Sequence, residues 1–156
     1  MLKSALLVSA VLSSIAFAQA TVIEDPAAAD QLMGDHVFNL QWIDNPPGVA
    51  HVTEKSKGEL AISAEQRNKQ GDFASVTGKI TRVSAKSFEI DGNIVTRSHG
   101  VNDGKACEKN GHFTFRITGN RKYWRLKEMD NCEGDRVVDY VDVFFERPKA
   151  APAKRE

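Results

Sequence analysis

The sequence lacks the motifs of the common catalytic and cofactor-binding sites. It contains no Gly-x-Ser-x-Gly, no His-Glu-x-x-His and no phosphate-binding glycine loop. Its two cysteines lie 25 positions apart, which is a poor arrangement for zinc. We therefore expect no catalytic residue, no metal ion and no cofactor, and we predict that the protein is not an enzyme. No two of its histidines are paired at close ligand spacing; they are His36, His51, His99 and His112.

The sequence also lacks an excess of charge of either sign. Lysine and arginine together number 21, and aspartate and glutamate together also number 21. Removal of the first 20 residues, whose only charge is Lys3, leaves 20 basic and 21 acidic side chains, a net charge of −1. A nucleic-acid-binding protein needs a net basic surface to displace counterions, and docking on an anionic membrane needs one too. We expect no nucleic acid and no anionic membrane as partner.

The apolar run at the N-terminus is too short for a membrane-spanning helix, but it has the features of an export signal. Lys3 is followed by a mostly apolar stretch over residues 5–17, shorter than the roughly 20 residues that a bilayer requires. Residues 16–18 and 18–20 each place alanine at both positions that a signal peptidase reads. The sequence therefore predicts a signal peptide over residues 1–20, cleavage after Ala18 or Ala20, a periplasmic or secreted location, and no transmembrane span in the mature chain.

Most of the remaining chain alternates apolar and polar residues with the period of a β-strand. Clusters of Gly, Asn, Asp, Ser and Pro separate the predicted strands, and no stretch has the pattern of a long amphipathic helix. About eight or nine short strands joined by tight turns favour pairing between sequence neighbours, and closure into a barrel hides the sheet edges. We predict an all-β fold, a small antiparallel up-and-down barrel of about eight strands, with a β-sandwich as the alternative.

The predicted domain boundaries follow from this pattern. The segment 21–35 is expected to be loosely ordered, and a single barrel domain is expected over residues 36–146. The tail over residues 147–156 is rich in Pro, Ala and Lys and is expected to be disordered.

Some strand assignments place particular side chains. The first barrel strand is predicted over His36–Ile43, with Trp42 on its apolar face. Residues 91–93 (Asp-Gly-Asn) are predicted to form the turn of a hairpin. Asp139 and Asp142 lie three apart on the last strand and point to opposite faces, and we expect one or both to meet Arg or Lys on a neighbouring strand.

Residues 107–132 carry the strongest local signal. Gly119-Asn120 is a two-residue turn of the kind that closes a β-hairpin. In the register set by that turn the numbers of facing residues sum to 239, and the two cysteines also face each other. We predict a disulfide Cys107–Cys132 that closes a loop of about 26 residues and contributes on the order of 3 kcal/mol. The other facing pairs are Phe115–Trp124, Phe113–Leu126, Thr114–Arg125, Arg116–Tyr123 and His112–Lys127.

The chain resembles known small exported barrels. A tryptophan in the first strand, an up-and-down run of strands and a disulfide near the end are similar to lipocalin-like (calycin) proteins. That family has a Gly-x-Trp motif, whereas Gly34 stands eight residues before Trp42. The run RKYWRLKEMDNC, followed by VVDYVDVFF, resembles small uncharacterised exported β-barrel proteins of Gram-negative bacteria. Neither resemblance implies a particular site residue or activity.

These features favour a binding protein of one of two kinds. The first holds a small apolar or amphipathic ligand in or at the mouth of the barrel. The alternative is a protein-interaction module of the cell envelope, or an inhibitor of a secreted enzyme, that uses exposed arginine and tyrosine side chains. A packed core and a solvated outer wall would produce the same alternation. The candidate ligand-binding residues are Trp42, Arg97, His99, Phe113, Phe115, Arg116, Tyr123, Trp124 and Arg125.

Overall fold

The computed structural model describes residues 19–149. The predicted signal peptide up to Ala18 and the tail residues 150–156 lie outside the described residues. Within the described range, no helix is both long enough and apolar enough to cross a membrane. One short helix, α1, spans Pro26–Leu32. The strands are β1 (Val22–Ile23), β2 (Gly34–Leu40), β3 (Gly48–Ser56), β4 (Glu59–Arg67), β5 (Phe73–Ser84), β6 (Ser87–Arg97), β7 (Cys107–Arg116), β8 (Tyr123–Leu126) and β9 (Val141–Phe144).

Strands β2 to β9 form a closed barrel. They pair in sequence order, every pairing among them is antiparallel, and the barrel closes where β9 pairs with β2. Closure leaves these eight strands without a free edge, which explains why short strands with tight turns adopt this arrangement. β1 adds a further strand that pairs in parallel with the end of β5. The predicted all-β, up-and-down barrel is thus confirmed.

The turn predicted at residues 91–93 is wrong, because β6 continues through them without interruption. Gly92 faces Gly78 on β5 and Gly111 on β7, so three glycines form a row across the sheet. A Cβ atom on Gly92 would lie 2.1 Å from the carbonyl oxygen of Thr77 and 2.7 Å from the Cα of Gly78. Gly92 therefore allows two strand backbones to approach closely, which is the other common use of a glycine within a strand.

The hairpin between β7 and β8 turns where the sequence predicted. The N–H of Arg121 donates a hydrogen bond to the carbonyl of Thr118 across 3.4 Å. Gly119 has a φ of 58°, in the left-handed region that a residue without a Cβ adopts without strain. The prediction of a turn at Gly119-Asn120 is therefore confirmed.

The predicted register of this hairpin is wrong by two positions. Phe115 faces Leu126 and Arg116 faces Arg125, so the numbers of facing residues sum to 241. Residues 117–122 separate the two strands, because the Ile117 N–H donates to the carbonyl of Lys86 in the β5–β6 turn (2.8 Å) rather than to β8. A shift of two leaves every side chain on its predicted face. The incorrect facing pairs are Phe115–Trp124, Phe113–Leu126, Thr114–Arg125, Arg116–Tyr123 and His112–Lys127.

The disulfide between Cys107 and Cys132 is present, with an S–S distance of 2.04 Å and a Cα–Cα distance of 5.4 Å. Cys107 is the first residue of β7, whereas Cys132 lies in the long connection between β8 and β9 and not on a strand. The bridge therefore attaches this connection to the end of the barrel at which β7 begins.

Residues 21–35 are structured, although the sequence predicted a loosely ordered segment. The Asp25 carboxylate caps α1 by accepting a hydrogen bond from the Ala28 N–H (2.8 Å). Pro26 occupies the first helical turn, where its missing N–H has no intrahelical partner to lose. Leu32 is fully buried in the barrel core. Tertiary burial orders this segment, since an isolated helix of this length would not be stable.

Arg147, the first residue of the tail predicted to be disordered, has a defined position. Its guanidinium donates hydrogen bonds to the carbonyls of Gln31 (3.1 Å), Met33 (2.9 Å) and Asp35 (2.9 Å). The last carbonyls of a helix have no intrahelical partner, and Arg147 supplies one for the end of α1. Arg147 thereby connects the C-terminal segment to the end of α1 and to the start of β2.

Candidate functional site

The candidate ligand-binding residues lie in three separate places. Three point into the barrel, three lie around the end where β2 and β6 finish, and three lie on the outer side of β7 and β8. In that order they are Phe113, Phe115 and Trp124; Trp42, Arg97 and His99; and Arg116, Tyr123 and Arg125.

The aromatic side chains inside the barrel pack against one another. The Phe88 and Phe115 rings are stacked with centroids 4.9 Å apart, and the Trp124 ring meets Phe88 edge-on at 5.8 Å. Phe115 is fully buried, and Phe113 and Trp124 are nearly so. The protein's own side chains therefore occupy the part of the interior in which we predicted a ligand from the sequence.

His36 is a buried polar group beside this cluster. Its Nδ1 lies 2.8 Å from the carbonyl oxygen of Phe144, and its Nε2 lies 2.8 Å from that of Leu32 and 3.0 Å from Nη1 of Arg147. Burial lowers the pKa of His36 below its ordinary value of 6.5, because a charged ring loses its hydration. The fold thus favours the neutral imidazole.

Trp42 follows β2 instead of lying within it, since the strand ends at Leu40 and not at Ile43 as predicted. The residue is 38% exposed, and its indole N–H donates to a carboxylate oxygen of Asp139 (3.0 Å). Asp139 is fully buried and also accepts hydrogen bonds from the Thr96 hydroxyl (2.7 Å) and from the Asn131 amide (2.9 and 3.0 Å). Trp42 therefore helps to close one end of the barrel.

Arg97 and His99 converge on Asp72, away from the other predicted cationic residues. The backbone N–H and the Nδ1 of His99 each lie 2.8 Å from a carboxylate oxygen of Asp72, and Nη1 of Arg97 lies 3.6 Å away. Burial by itself would raise the pKa of Asp72, but hydrogen bonds from His99 and Asn68 hold it below its ordinary value of 3.8. The ionised carboxylate connects the start of β5 with the end of β6.

The outer side of β8 and β9 carries an arginine in a fixed orientation. Arg125 donates from Nε and Nη2 to the two carboxylate oxygens of Asp142, both at 2.7 Å. Its guanidinium carbon lies 3.9 Å from the centroid of the Tyr140 ring. The hydrogen bonds to Asp142 raise the pKa of Arg125 above its ordinary value. A two-point ion pair and an aromatic ring together determine the plane of the guanidinium.

Two more aromatic rings extend this surface. Tyr123 and Phe144 face each other across β8 and β9, with ring centroids 5.1 Å apart. The guanidinium carbon of Arg121 lies 5.6 Å from the Tyr123 ring centroid, and that of Arg125 lies 5.2 Å from it. Both are within the range of a cation–π contact. We refer to this surface as the β8–β9 face; its residues are Tyr123, Arg125, Tyr140, Asp142 and Phe144.

Three residues of the β8–β9 face were not among the candidates: Tyr140, Asp142 and Phe144. The expectation that Asp139, Asp142 or both would meet Arg or Lys is confirmed by the Asp142–Arg125 pair. The alternation along VVDYVDVFF places these three residues on one side of the chain. That signal could have identified them, but only with the knowledge that β9 lies beside β8.

His112 does not join the β8–β9 face. Its Nδ1 lies 2.7 Å from Asp91, and its Nε2 lies 3.3 Å from Glu89. The hydrogen bond with Asp91 raises the pKa of His112 above 6.5. Across residues 19–149, no group of three or more His, Cys, Asp or Glu side chains is arranged to hold a metal ion.

The fold and the surface together define a small disulfide-linked antiparallel barrel with an aromatic interior and a fixed arginine on its outer side. The chain belongs to the PM1083 family, which it matches over residues 20–145. It is 43% identical over 118 residues to the uncharacterized protein PM1083 of Pasteurella multocida (strain Pm70), and the alignment covers 74% of each chain. No solved structure matches the chain.

Proposed function

We propose that this protein is an exported, non-enzymatic binding protein that docks onto another protein of the cell envelope through the β8–β9 face. The observation that carries the proposal is the guanidinium of Arg125, which Asp142 and Tyr140 hold in one orientation. Arginine and tyrosine are enriched among the residues that contribute most to protein–protein binding. A side chain that is already ordered in the free protein loses less conformational entropy when a partner binds.

Two features support a periplasmic or secreted location for this function. The Cys107–Cys132 disulfide is of a kind that persists in oxidising compartments. The first 20 residues have the charge, the apolar stretch and the small residues of a cleavable export signal. An envelope partner is therefore the class of protein that the β8–β9 face would meet.

A lipocalin-like carrier of small apolar or amphipathic molecules has less support. A barrel of about eight strands is just wide enough either to be filled or to hold one small ligand. Here Phe88, Phe115 and Trp124 occupy the interior. One feature favours a small ligand. A cavity of about 470 Å³, lined in part by Val37 and Val49, is open to the surface. A ligand there would lie outside the barrel wall.

Site-specific photo-cross-linking in the native host tests the docking proposal. The full precursor would carry p-benzoylphenylalanine in place of Tyr123, at the centre of the β8–β9 face. A matched control would carry it in place of Ser63, an exposed residue of β4. We expect one discrete protein adduct from position 123 and none from position 63. Equal adducts at both positions, or none at either, would contradict docking through this face, and a co-purified small molecule in native mass spectrometry would favour the carrier.

A further inference from the structure

A small cleft with only cationic charges lies beside the β8–β9 face. Its volume is about 80 Å³, and no acidic side chain is among the residues that line it. We refer to it as the cationic cleft; its charged residues are Arg116, Arg121, Arg125 and Lys127.

Most of the positive charge at the cationic cleft is uncompensated. Arg116 directly faces Arg125 across β7 and β8, and like charges in facing positions are destabilising. Asp142 neutralises Arg125. Within residues 19–149, however, no carboxylate lies within 4.0 Å of the charged nitrogens of Arg116, Arg121 or Lys127. An anion in the cleft would relieve the repulsion that the fold imposes on these side chains.

The volume of the cationic cleft limits what it can hold. A cleft of about 80 Å³ has room for a group of a few heavy atoms, such as one carboxylate or one phosphate group. Binding sites for whole small molecules are larger, from about 300 Å³ upward. A cleft of this size therefore suits a single anionic group of a larger partner, whose remaining part lies outside the cleft.

We propose that the cationic cleft binds a carboxylate from an acidic segment of a partner protein, an inference that rests on the proposed docking function. The cleft and the β8–β9 face share Arg125, so one partner reaches both surfaces. Arginine side chains bind a carboxylate through two parallel hydrogen bonds. A lipid phosphate is less suitable, because a chain with equal numbers of acidic and basic residues lacks the broad positive field that an anionic membrane requires.

Fluorescence anisotropy of the mature full chain with a labelled peptide of alternating glutamate and tyrosine tests this inference. The variant Arg116→Gln/Arg121→Gln removes two exposed cations of the cleft and leaves the buried residues unchanged. We expect the wild type to bind the peptide in a salt-dependent manner and the variant to bind at least about tenfold more weakly. An unchanged melting temperature would show that the variant remains folded.

The control Lys69→Gln/Lys105→Gln removes two exposed cations elsewhere and should weaken binding by less than about twofold. Equal losses in the two variants, or no binding by the wild type, would overturn the inference. Vesicles of phosphatidylglycerol are a third arm. Tighter binding to vesicles than to peptide, abolished in the cleft variant, would assign the cleft to a lipid phosphate and overturn the acidic-segment proposal.

The cross-link at position 123 separates this inference from the proposed function. A cross-link that forms equally well in Arg116→Gln/Arg121→Gln would leave the docking function intact and overturn the role of the cleft. Loss of peptide binding in that variant, without any cross-link in the wild type, would support the cleft as an anion site and contradict envelope docking.

Discussion

The two sides of strands β8 and β9 have opposite chemistry, although the same short segments form both. The inner side is apolar and almost fully buried, and its residues are Trp124, Leu126, Val141 and Val143. The outer side is aromatic and charged, and its residues are Tyr123, Arg125, Asp142 and Phe144. Successive side chains of a strand point to opposite faces, so one stretch of sequence can serve the core and a surface at once.

The difference shows which side contributes to stability and which is available for recognition. On the inner side, rings contact rings, and the gain is mainly the removal of apolar surface from water. On the outer side, Arg125 pairs with Asp142 and contacts the rings of Tyr123 and Tyr140, and 19% of its side chain is exposed. We therefore expect inner substitutions to change stability most and outer substitutions to change binding most.

Phe115→Ala should produce the largest loss of stability. The ring is fully buried and stacked on Phe88, and removal of such a side chain typically costs about 3 to 5 kcal/mol in the free energy of unfolding. The matched outer variant is Phe144→Ala. The Phe144 ring is only partly buried, so its removal should lower the free energy of unfolding clearly less than Phe115→Ala does. Urea unfolding monitored by circular dichroism would measure both. Equal losses would show that the inner and outer rings contribute alike and would break the comparison.

Asp142→Asn should have an intermediate effect on stability and a strong one on docking. The change leaves the Arg125 guanidinium facing a neutral amide and should cost about 1 to 3 kcal/mol. It should also loosen the contact of Arg125 with Tyr140 and weaken the cross-link at position 123. Glu65→Gln is the control, because its ion pair with Arg67 is mostly exposed and should contribute little. A full cross-link in Asp142→Asn would show that the fixed guanidinium is not required.

Protonation of His36 should have the smallest effect on the free energy of unfolding. The sign of this effect is opposite to that of the protonation of His112. The pKa of His36 is lowered in the fold, so below about pH 6.5 the unfolded chain binds a proton that the folded chain does not. The free energy of unfolding should therefore decrease as the pH falls from the ordinary pKa of histidine toward the lower pKa of His36 in the folded protein. Arg147 and Asp35 are the charged groups that face this ring, and Arg147 adds to the lowering of its pKa whereas Asp35 opposes it.

His112 behaves in the opposite way because its pKa is raised in the fold. The stability that it contributes is present below pH 6.5 and is lost as the pH rises through its folded pKa. Urea unfolding at several pH values would compare the wild type with His36→Gln and His112→Gln. We expect His36→Gln to remove part of the stability loss at low pH, and His112→Gln to remove part of the loss at higher pH. The same pH dependence in all three proteins would contradict both assignments.

Local patterns in the sequence were sufficient to predict the class of fold. The alternation in Glu59–Arg67 matches β4, and the turn at Gly119-Asn120 and the disulfide are where the sequence predicted them. The strands and the turn depend on neighbouring residues alone, through a period of two and a glycine that tolerates a positive φ. The disulfide follows from the presence of two cysteines in the sequence.

The errors occur where distant residues decide the outcome. Gly92 was interpreted as part of a turn because glycine serves turns and close backbone contacts alike, and only the position of Thr77 on β5 distinguishes the two. The hairpin register depended on Ile117, which bonds to the β5–β6 turn. Trp42 was placed on the apolar face of the first strand, and Arg97 and His99 were named as ligand-binding candidates. The carboxylates that bind these three residues, Asp139 and Asp72, come from elsewhere in the chain.

The sequence by itself determined that this chain forms antiparallel strands and where its clearest hairpin turns, because these outcomes depend on short-range geometry. It also determined which cysteines pair, because it contains two. Only the tertiary structure decided that aromatic side chains fill the interior and that β9 lies between β8 and β2. The Arg125–Asp142 pair exists only because of that strand order. A strand's own pattern specifies which residues share a face, whereas barrel closure alone specifies which faces meet.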